Sequence, residues 1–564
     1  DNTSVEVYVR MGNICIELNM SKKALSYFHM AIQLDSQCLE AFINIGSIQK
    51  DNENFIDAIH AYEATLKLKP DFPEVYCNLV ICLQKICDWS DYDSHMKKLK
   101  EIVNKELNDD QVLSLLPHDS LSLPLSFEVQ KKIASNYAKH RLEKLKKSIE
   151  EPQQFVYSTS LRGKLRIGFV SNNFSKYPVA SIVESSFLNY SNKVQFCLYT
   201  LSSNDNIPEW MEPTLENISF KNLSQLKVID AAKTINSDEI HVLVDMCGYT
   251  ESSLIEIFSL RPAPVQVSWI GNPSTNNTSA VKFVDYFFTS ESDFFSNPPN
   301  EYIKKLFLLH STFFAGNHMQ KFSELTRLKA EKNTNYELDL KEADNILNDQ
   351  TIVEMVTQIL KETPSIVHIR ELYNLPCNAV VYCNFSKLYK IDPFTFRTWL
   401  NILNNVPKSV LWLLHLNDVA DNNLKKFADD LNFDSSRIIF TNFIPKCEHL
   451  KKIQLADIYL ETILYNGHSA SLDALFAAIP VITILGETCA SRITASQLTI
   501  LGVTDTIAQN NQNYIDIAIK LGHDKNLLEE IKNNIWNLKK NSNLFNIEFC
   551  VQEIMKYLMN ARIN

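Results

Sequence analysis

Glycine is scarce, 11 of 564 residues, so each one marks a place where backbone geometry or close approach is constrained. Positive charge is not in excess either: 55 Lys and Arg against 66 Asp and Glu leave a net −11 at pH 7. With a pI near 5.7, that balance argues against a nucleic-acid or membrane-surface partner, although a local basic cleft is compatible with it. The 12 cysteines form no CxxC pair and follow no regular spacing. That favours free thiols in a reducing compartment over a disulfide framework or a zinc site. No apolar run reaches transmembrane length, and no secretory signal pattern opens the chain. The sequence begins abruptly inside a helical pattern, as a fragment would. With 45% hydrophobic and 21% charged residues, it has the composition and length of a globular protein of several domains.

What is present begins with a repeat. Gly12 and Gly46 are 34 residues apart, as are Ala24 and Ala58, Phe28 and Tyr62, and the aromatics Tyr8, Phe42 and Tyr76. ALSYFHMAIQLD and AIHAYEATLKLKP superimpose, and Pro70 closes the second unit. A 34-residue period with small residues at these positions is the tetratricopeptide signature. Residues 1–104 are assigned to this array, with YCNLVICLQKICDW beginning a third unit. Such arrays expose a concave groove suited to peptides; a plain solenoid spacer is the alternative. Residues 105–160 are polar and helical, interrupted near Pro117 and Pro124, and read as a connector.

Around Leu165 the period changes. LRIGFVS, QFCLYTLS, HVLVDMCGY, VQVSWIG, YFFTS and KLFLL read as strands with helical stretches between several of them, a lobe over 161–316. A second set, AVVYCNFS, SVLWLLH, RIIFTNF, DIYLET and PVITIL, fills 373–564. Alternation of this kind predicts parallel, doubly wound sheets that bind ligands beyond their strand ends, in the first lobe at Ser171, Asp245–Gly248 and Gly271. The intervening 317–372, rich in Lys, Glu, Asp and Asn, reads as an insertion, partly helical and weakly packed.

The stretch YNGHSASLDALFAAIPVITILGETCASR, from Tyr465 to Arg492, is the most informative. A turn at Asn466-Gly467-His468-Ser469 leads into an apolar helix and then a buried strand. The open N–H groups of such a helix start suit a phosphate. Asp473, one turn in, can accept from the hydroxyls of a sugar diol. An ordinary serine-capped αβ unit accounts for the same pattern, and spacing alone leaves both open.

LRPAPVQVSWIGNPST, STFFAGNH, VYCNFSKLYKIDP, VPKSVLWLLH, RIIFTNFIPKCEH and LGETCASRITASQLTILG together resemble the nucleocytoplasmic protein O-GlcNAc transferases, over nearly the whole chain. The resemblance implies a tetratricopeptide solenoid followed by a GT-B fold of two Rossmann-like lobes. It also implies inverting transfer of N-acetylglucosamine from UDP-GlcNAc to protein Ser and Thr hydroxyls in nucleus and cytoplasm. No metal or cofactor is implied; the partners are a nucleotide sugar and proteins or peptides held in the repeat groove.

The same resemblance assigns residues. Lys390 matches the essential lysine that meets charge on the departing UDP. Lys387 stands where the family has a glutamine near the diphosphate, and His468, Ser469 and Ala470 stand at its His-Thr-Thr. Ile444 and Pro445 fall in the uracil-contacting stretch, with Lys446 near the ribose and His449 stacking on the base. Lys452 replaces an arginine, and Asp473 matches the ribose aspartate. In the first lobe Tyr177 stands at the family histidine and Asn173 at a nearby aspartate; a phenol with pKa near ~10 is a poor base at neutral pH. His241 and Asp238 match the family and, with Asp245, could compensate, though a structural role at a strand edge fits them also. The acceptor loop reads GNPSTNN where the family has GYPGTSG, and Tyr465 replaces a cysteine beside the N-acetyl pocket. Two alternatives therefore stand: a transferase of another nucleotide sugar, and a weakly active or inactive repeat-based scaffold.

Overall fold

A computed structural model of the chain describes residues 4–149, 154–157, 163–172, 174, 179–202, 218–249, 254–269, 283–290, 306–310, 312, 316–328 and 366–561. Tyr177, Asn173 and the GNPSTNN loop lie outside these residues.

The repeat period reappears as helix pairs: Val5–Glu17 with Ser21–Leu34, Leu39–Asp51 with Phe55–Leu68, and Pro73–Lys85 with Tyr92–Asn108. The glycines are there because a ring lies against them. A Cβ on Gly12 would meet the Phe28 ring at 2.5 Å, and one on Gly46 the Tyr62 ring at 2.4 Å. Each intra-pair turn has a left-handed residue at the same register, Asn19, Glu53 and Cys87. The next N–H then returns to the preceding helix, Met20 to Cys15 O, Asn54 to Gln49 O and Asp88 to Leu83 O. The third pair extends to Asn108, so the expected boundary at 104 falls inside a helix.

The connector contains the short helix Pro117–Ser120 and the long helix Phe127–Ser148, whose Ser126 accepts from Val129 N–H as an N-cap. It touches both lobes: Arg141 pairs with Glu256 at 2.8 Å, and Leu121 packs with Tyr465 and Ala490.

The first lobe has seven parallel strands, β1 Leu165–Ser171, β2 Val194–Thr200, β3 Ile218–Asn222, β4 Val242–Asp245, β5 Val265–Ser268, β6 Tyr286–Ser290 and β7 Leu306–Leu309, in the order 3-2-1-4-5-6-7. The second has six, β8 Val380–Asn384, β9 Ser409–Leu414, β10 Ile438–Thr441, β11 Ile458–Leu460, β12 Val481–Ile484 and β13 Ile507–Ala508, in the order 10-9-8-11-12-13. Both sheets reverse winding direction beside their first strand, between β1 and β4 and between β8 and β11. Such switch points leave a crevice at the carboxyl ends of the strands. The expected fold class, a helical solenoid followed by two Rossmann-like lobes, is the one observed.

The lobes are stitched together. Helix Ile547–Asn560, from the second lobe's sequence, packs on Val179–Tyr190 of the first, and Tyr557 stacks on Phe307 at 4.6 Å. One apolar core runs from Ile167 and Val244 through Ile554 to Val381 and Trp412. The flanks of the expected insertion correct its weak packing. On the amino side, Leu328 N–H donates to Gln454 and Arg327 pairs with Glu529. On the carboxyl side, buried Arg370 donates to Leu455 O, Ala379 O and Asp457. A charge-rich composition concealed partners that lie far away in sequence; residues 329–365 lie outside the described set.

Candidate functional site

The site forms where the chain leaves β8, β10, β11 and β12. After β8, a single 3-10 turn, Leu388–Lys390, brings Lys390 inward, 8% exposed. Its Nζ donates to Asn466 O at 2.7 Å and sits 3.9 Å from the centre of the Tyr465 ring. Burial lowers its pKa, Glu461 works against that and Lys387 with it, and the result is about 7. The group is therefore poised to gain its proton when an anion arrives.

After β11, the Asn466–Ser469 turn is held by buried Glu461. One carboxylate oxygen accepts from Gly467 N–H at 2.8 Å and from Thr462, and the other accepts from Thr494 Oγ1 at 2.6 Å. Gly467 permits the close approach: a Cβ there would meet Ser386 Oγ at 2.7 Å and Tyr459 OH at 2.9 Å. His468 then adopts φ 57°, ψ −90°, a strained backbone for a non-glycine residue, and starts the helix Ser469–Phe476. Burial, reinforced by Lys390, drives its imidazole well below the ordinary histidine range, so it is neutral at pH 7. Lys390, the turn and the first residues of the helix thus converge.

Beside them lies a carboxylate cluster. Asp473, 5% exposed, pairs with Lys446, accepts from His318 Nε2 at 2.8 Å and lies 3.9 Å from His449. Burial alone would raise its pKa, but Lys446, His318 and His449 outweigh that and hold it at about 2. His449 stands edge-on to Phe385 at 5.4 Å, and burial lowers it to about 4, leaving a neutral flat ring. Ile444 is buried and Pro445 exposed at the start of the helix Lys446–Lys452, Lys387 is exposed, and Ser469 and Ala470 are half-buried at the turn. Tyr465 is packed by His118 of the connector, Tyr389 and His468.

Lys452 lies beside His449, and His241 is placed otherwise. Lys452 is buried and donates to Thr441 Oγ1 and Asn442 O at the end of β10, tying down the loop before Ile444. His241 precedes β4 at its amino end, exchanging hydrogen bonds with Arg166 at the start of β1. Four residues of strand, about 13 Å, separate it from the carboxyl edge. Alignment with a motif carried His241, and strand direction decided where it went. Asp238 pairs with Lys221 of β3 and accepts from Tyr199 OH of β2, tying the segment before β4 to both strands. Asp245 accepts from Cys247 and Gly248 N–H and shapes the loop after β4.

Sequence reasoning missed Glu461, the Asn466 carbonyl and His318. Only His318 left a trace, as the last residue of STFFAGNH. Among the described residues, no three His, Cys, Asp or Glu side chains are grouped to hold a metal ion, and no helix is long and apolar enough to cross a membrane.

Comparison with known proteins gives the following. The sequence profile of glycosyl transferase family 41 matches residues 86–363 and 349–554. The UDP-N-acetylglucosamine–peptide N-acetylglucosaminyltransferase of Caenorhabditis elegans is 33% identical over 544 residues, covering 83% of this chain and 47% of that protein. The probable UDP-N-acetylglucosamine–peptide N-acetylglucosaminyltransferase SEC of Arabidopsis thaliana is 29% identical over 467 residues, covering 80% of this chain and 43% of its own length. The chain thus spans somewhat under half the length of these curated relatives. A solved O-GlcNAc transferase mutant from Thermobaculum terrenum superposes with a TM-score of 0.73 at 18% identity, covering 98% of this chain and 96% of that one, a likeness of fold.

Proposed function

The chain belongs to glycosyl transferase family 41, and from that membership we propose that it moves N-acetylglucosamine from UDP-GlcNAc to Ser and Thr hydroxyls of proteins, with inversion and without a metal ion. The observation that carries this reading is the Lys390 ammonium, 2.7 Å from Asn466 O in the turn that opens helix Ser469–Phe476. When the glycosidic bond to UDP breaks, negative charge grows on the β-phosphate. A preorganised cation beside a helix amino terminus stabilises that charge more than it stabilises the intact donor. Burial lowers the Lys390 pKa to about 7, and the diphosphate raises it again and so secures the charge.

The nucleoside end is read by the Asp473 cluster. A carboxylate kept ionised accepts from the ribose hydroxyls, Lys446 restrains it, and the neutral His449 ring offers a face to uracil. Acceptor proteins are taken to lie along the repeat groove, and Tyr177 is the candidate for the proton acceptor. Nucleus and cytoplasm are the proposed location, which suits 12 cysteines that are all free thiols.

Tyr465 favours one second reading. It is 6% exposed where the sugar is expected, and its bulk suits a donor without an N-acetyl group. Radiolabelled transfer to a mixed protein acceptor, from UDP-GlcNAc and separately from GDP-fucose, tests both, with calorimetry of UDP binding alongside. Transfer from UDP-GlcNAc is the expected result. Transfer only from GDP-fucose selects the second reading, and UDP binding without transfer from either leaves a scaffold.

A further inference from the structure

We propose that Gln84, on the last helix pair of the repeat array, is a positioning residue that fixes the backbone turn carrying Lys390. The proposal rests on the reading above, in which Lys390 meets the leaving diphosphate.

Gln84 is 3% exposed and 305 residues from the turn it serves. Its Nε2 donates to Tyr389 O at 3.0 Å and to Ile391 O at 2.9 Å, the two carbonyls on either side of Lys390. Two neighbours act on the same stretch: Cys87 Sγ donates to Leu388 O at 3.7 Å, and Lys85 Nζ lies 3.8 Å from the centre of the Tyr389 ring. The turn has little stiffness of its own. It is three residues long, closed by Lys390 N–H to Lys387 O and Ile391 N–H to Leu388 O. The buried carbonyls of so short a turn need partners, and Gln84 supplies them for two.

The chemistry of Gln84 supports a role in donation rather than in packing. Both amide hydrogens are used, while its buried Oε1 has no hydrogen-bond partner among the described residues. An apolar side chain of equal size would fill the space without that unsatisfied oxygen, so what the amide adds here is its pair of donors. Because a displacement of about 1 Å at a reacting group can cost on the order of 10²-fold in rate, a clamp on these two carbonyls is felt at Nζ. The last repeat and Lys390 therefore behave as one mechanical unit.

The test uses the full chain carrying Gln84→Met, with Gln84→Leu if the first folds poorly. The control is Asn423→Ala, which removes another hydrogen bond between lobe and array, Asn423 Nδ2 to Ile86 O at 2.9 Å. Three quantities are read: kcat, KM for UDP-GlcNAc, and the pH midpoint of Lys390 acylation followed by peptide mass spectrometry. Gln84→Met is expected to lower kcat about tenfold or more, leave KM within about threefold, and move the labelling midpoint upward toward ordinary lysine. Asn423→Ala is expected to keep both kinetic constants within about twofold and the midpoint in place. Equal losses in both variants, or a wild-type kcat and midpoint in Gln84→Met, overturn the proposal. If the unmodified protein transfers no sugar, the functional reading fails separately, and the labelling midpoint alone decides the positioning.

Discussion

Beyond the carboxyl ends of β8 and β11, four ionisable groups, Lys390, Glu461, His468 and Asp473, are buried together, and two carry pKa values of about 7 and about 2. In the first lobe the corresponding edge offers Asp245, which accepts hydrogen bonds from its own loop, while Arg166 and His241 meet at the amino side. The sheets share a winding rule but differ in where charge has been taken out of water. Burying charge is costly unless partners are arranged for it, so a concentration of it at a switch point is a mark of function, and a histidine bonded to neighbouring backbone at the opposite edge is a mark of architecture.

The largest effect that sharpens this contrast is Lys390→Ala. It is expected to reduce transfer by roughly 10³-fold, in the range seen when a preorganised transition-state donor is removed, with unchanged far-ultraviolet dichroism. Wild-type turnover in a folded variant would end its assigned role. Next is Asp473→Ala, expected to weaken UDP binding about 10- to 100-fold by calorimetry and to lower Tm, because Lys446 and His318 lose their shared carboxylate. The sign of its pH dependence is set by its depressed pKa. The folded carboxyl stays ionised down to about 2, against 3.8 ordinarily, so its contribution of about 2 kcal/mol holds above pH 4 and is lost as pH falls through 2.

A smaller effect is the pH dependence of UDP affinity. Because burial brings the Lys390 pKa to about 7, affinity should drop roughly tenfold between pH 7 and 8.5 as the empty site loses its charge. Lys390→Ala should flatten that profile. On stability the same group acts with the opposite slope: from about pH 7 to 10.5 the unfolded chain keeps a proton that the folded one lacks, so its contribution rises with pH. The smallest effect belongs to the first lobe. His241→Ala should leave the UDP dissociation constant within about twofold while lowering stability by about 1 kcal/mol, from loss of the Arg166 N–H acceptor. A large change in UDP affinity would abolish the contrast between the two edges.

Much of this was legible before any coordinates. The 34-residue spacing fixed the repeats because each glycine must admit an aromatic ring one helix later, a local requirement written twice, at Gly12–Phe28 and Gly46–Tyr62. Strand-length apolar runs gave both sheets, and the NGHS turn and Asp473 pointed to the two parts of the candidate site. His241 was misleading because a motif states which residues follow one another and says nothing of strand direction. The insertion's flanks misled for a related reason: Arg370 looks solvated in sequence and is buried by Leu455 and Asp457, some 85 residues away.

Sequence alone therefore settled the elements and their order, since helix and strand periodicity and turn chemistry are decided within a few residues. Tertiary structure alone decided the pairings that turn those elements into a site: His318 with Asp473 at a separation of 155 residues, and Gln84 with the Lys390 turn at 305. Such partners are selected by burial. A polar atom withdrawn from water takes whichever complementary group the folded chain brings within 3 Å, and distance along the sequence has no bearing on that choice.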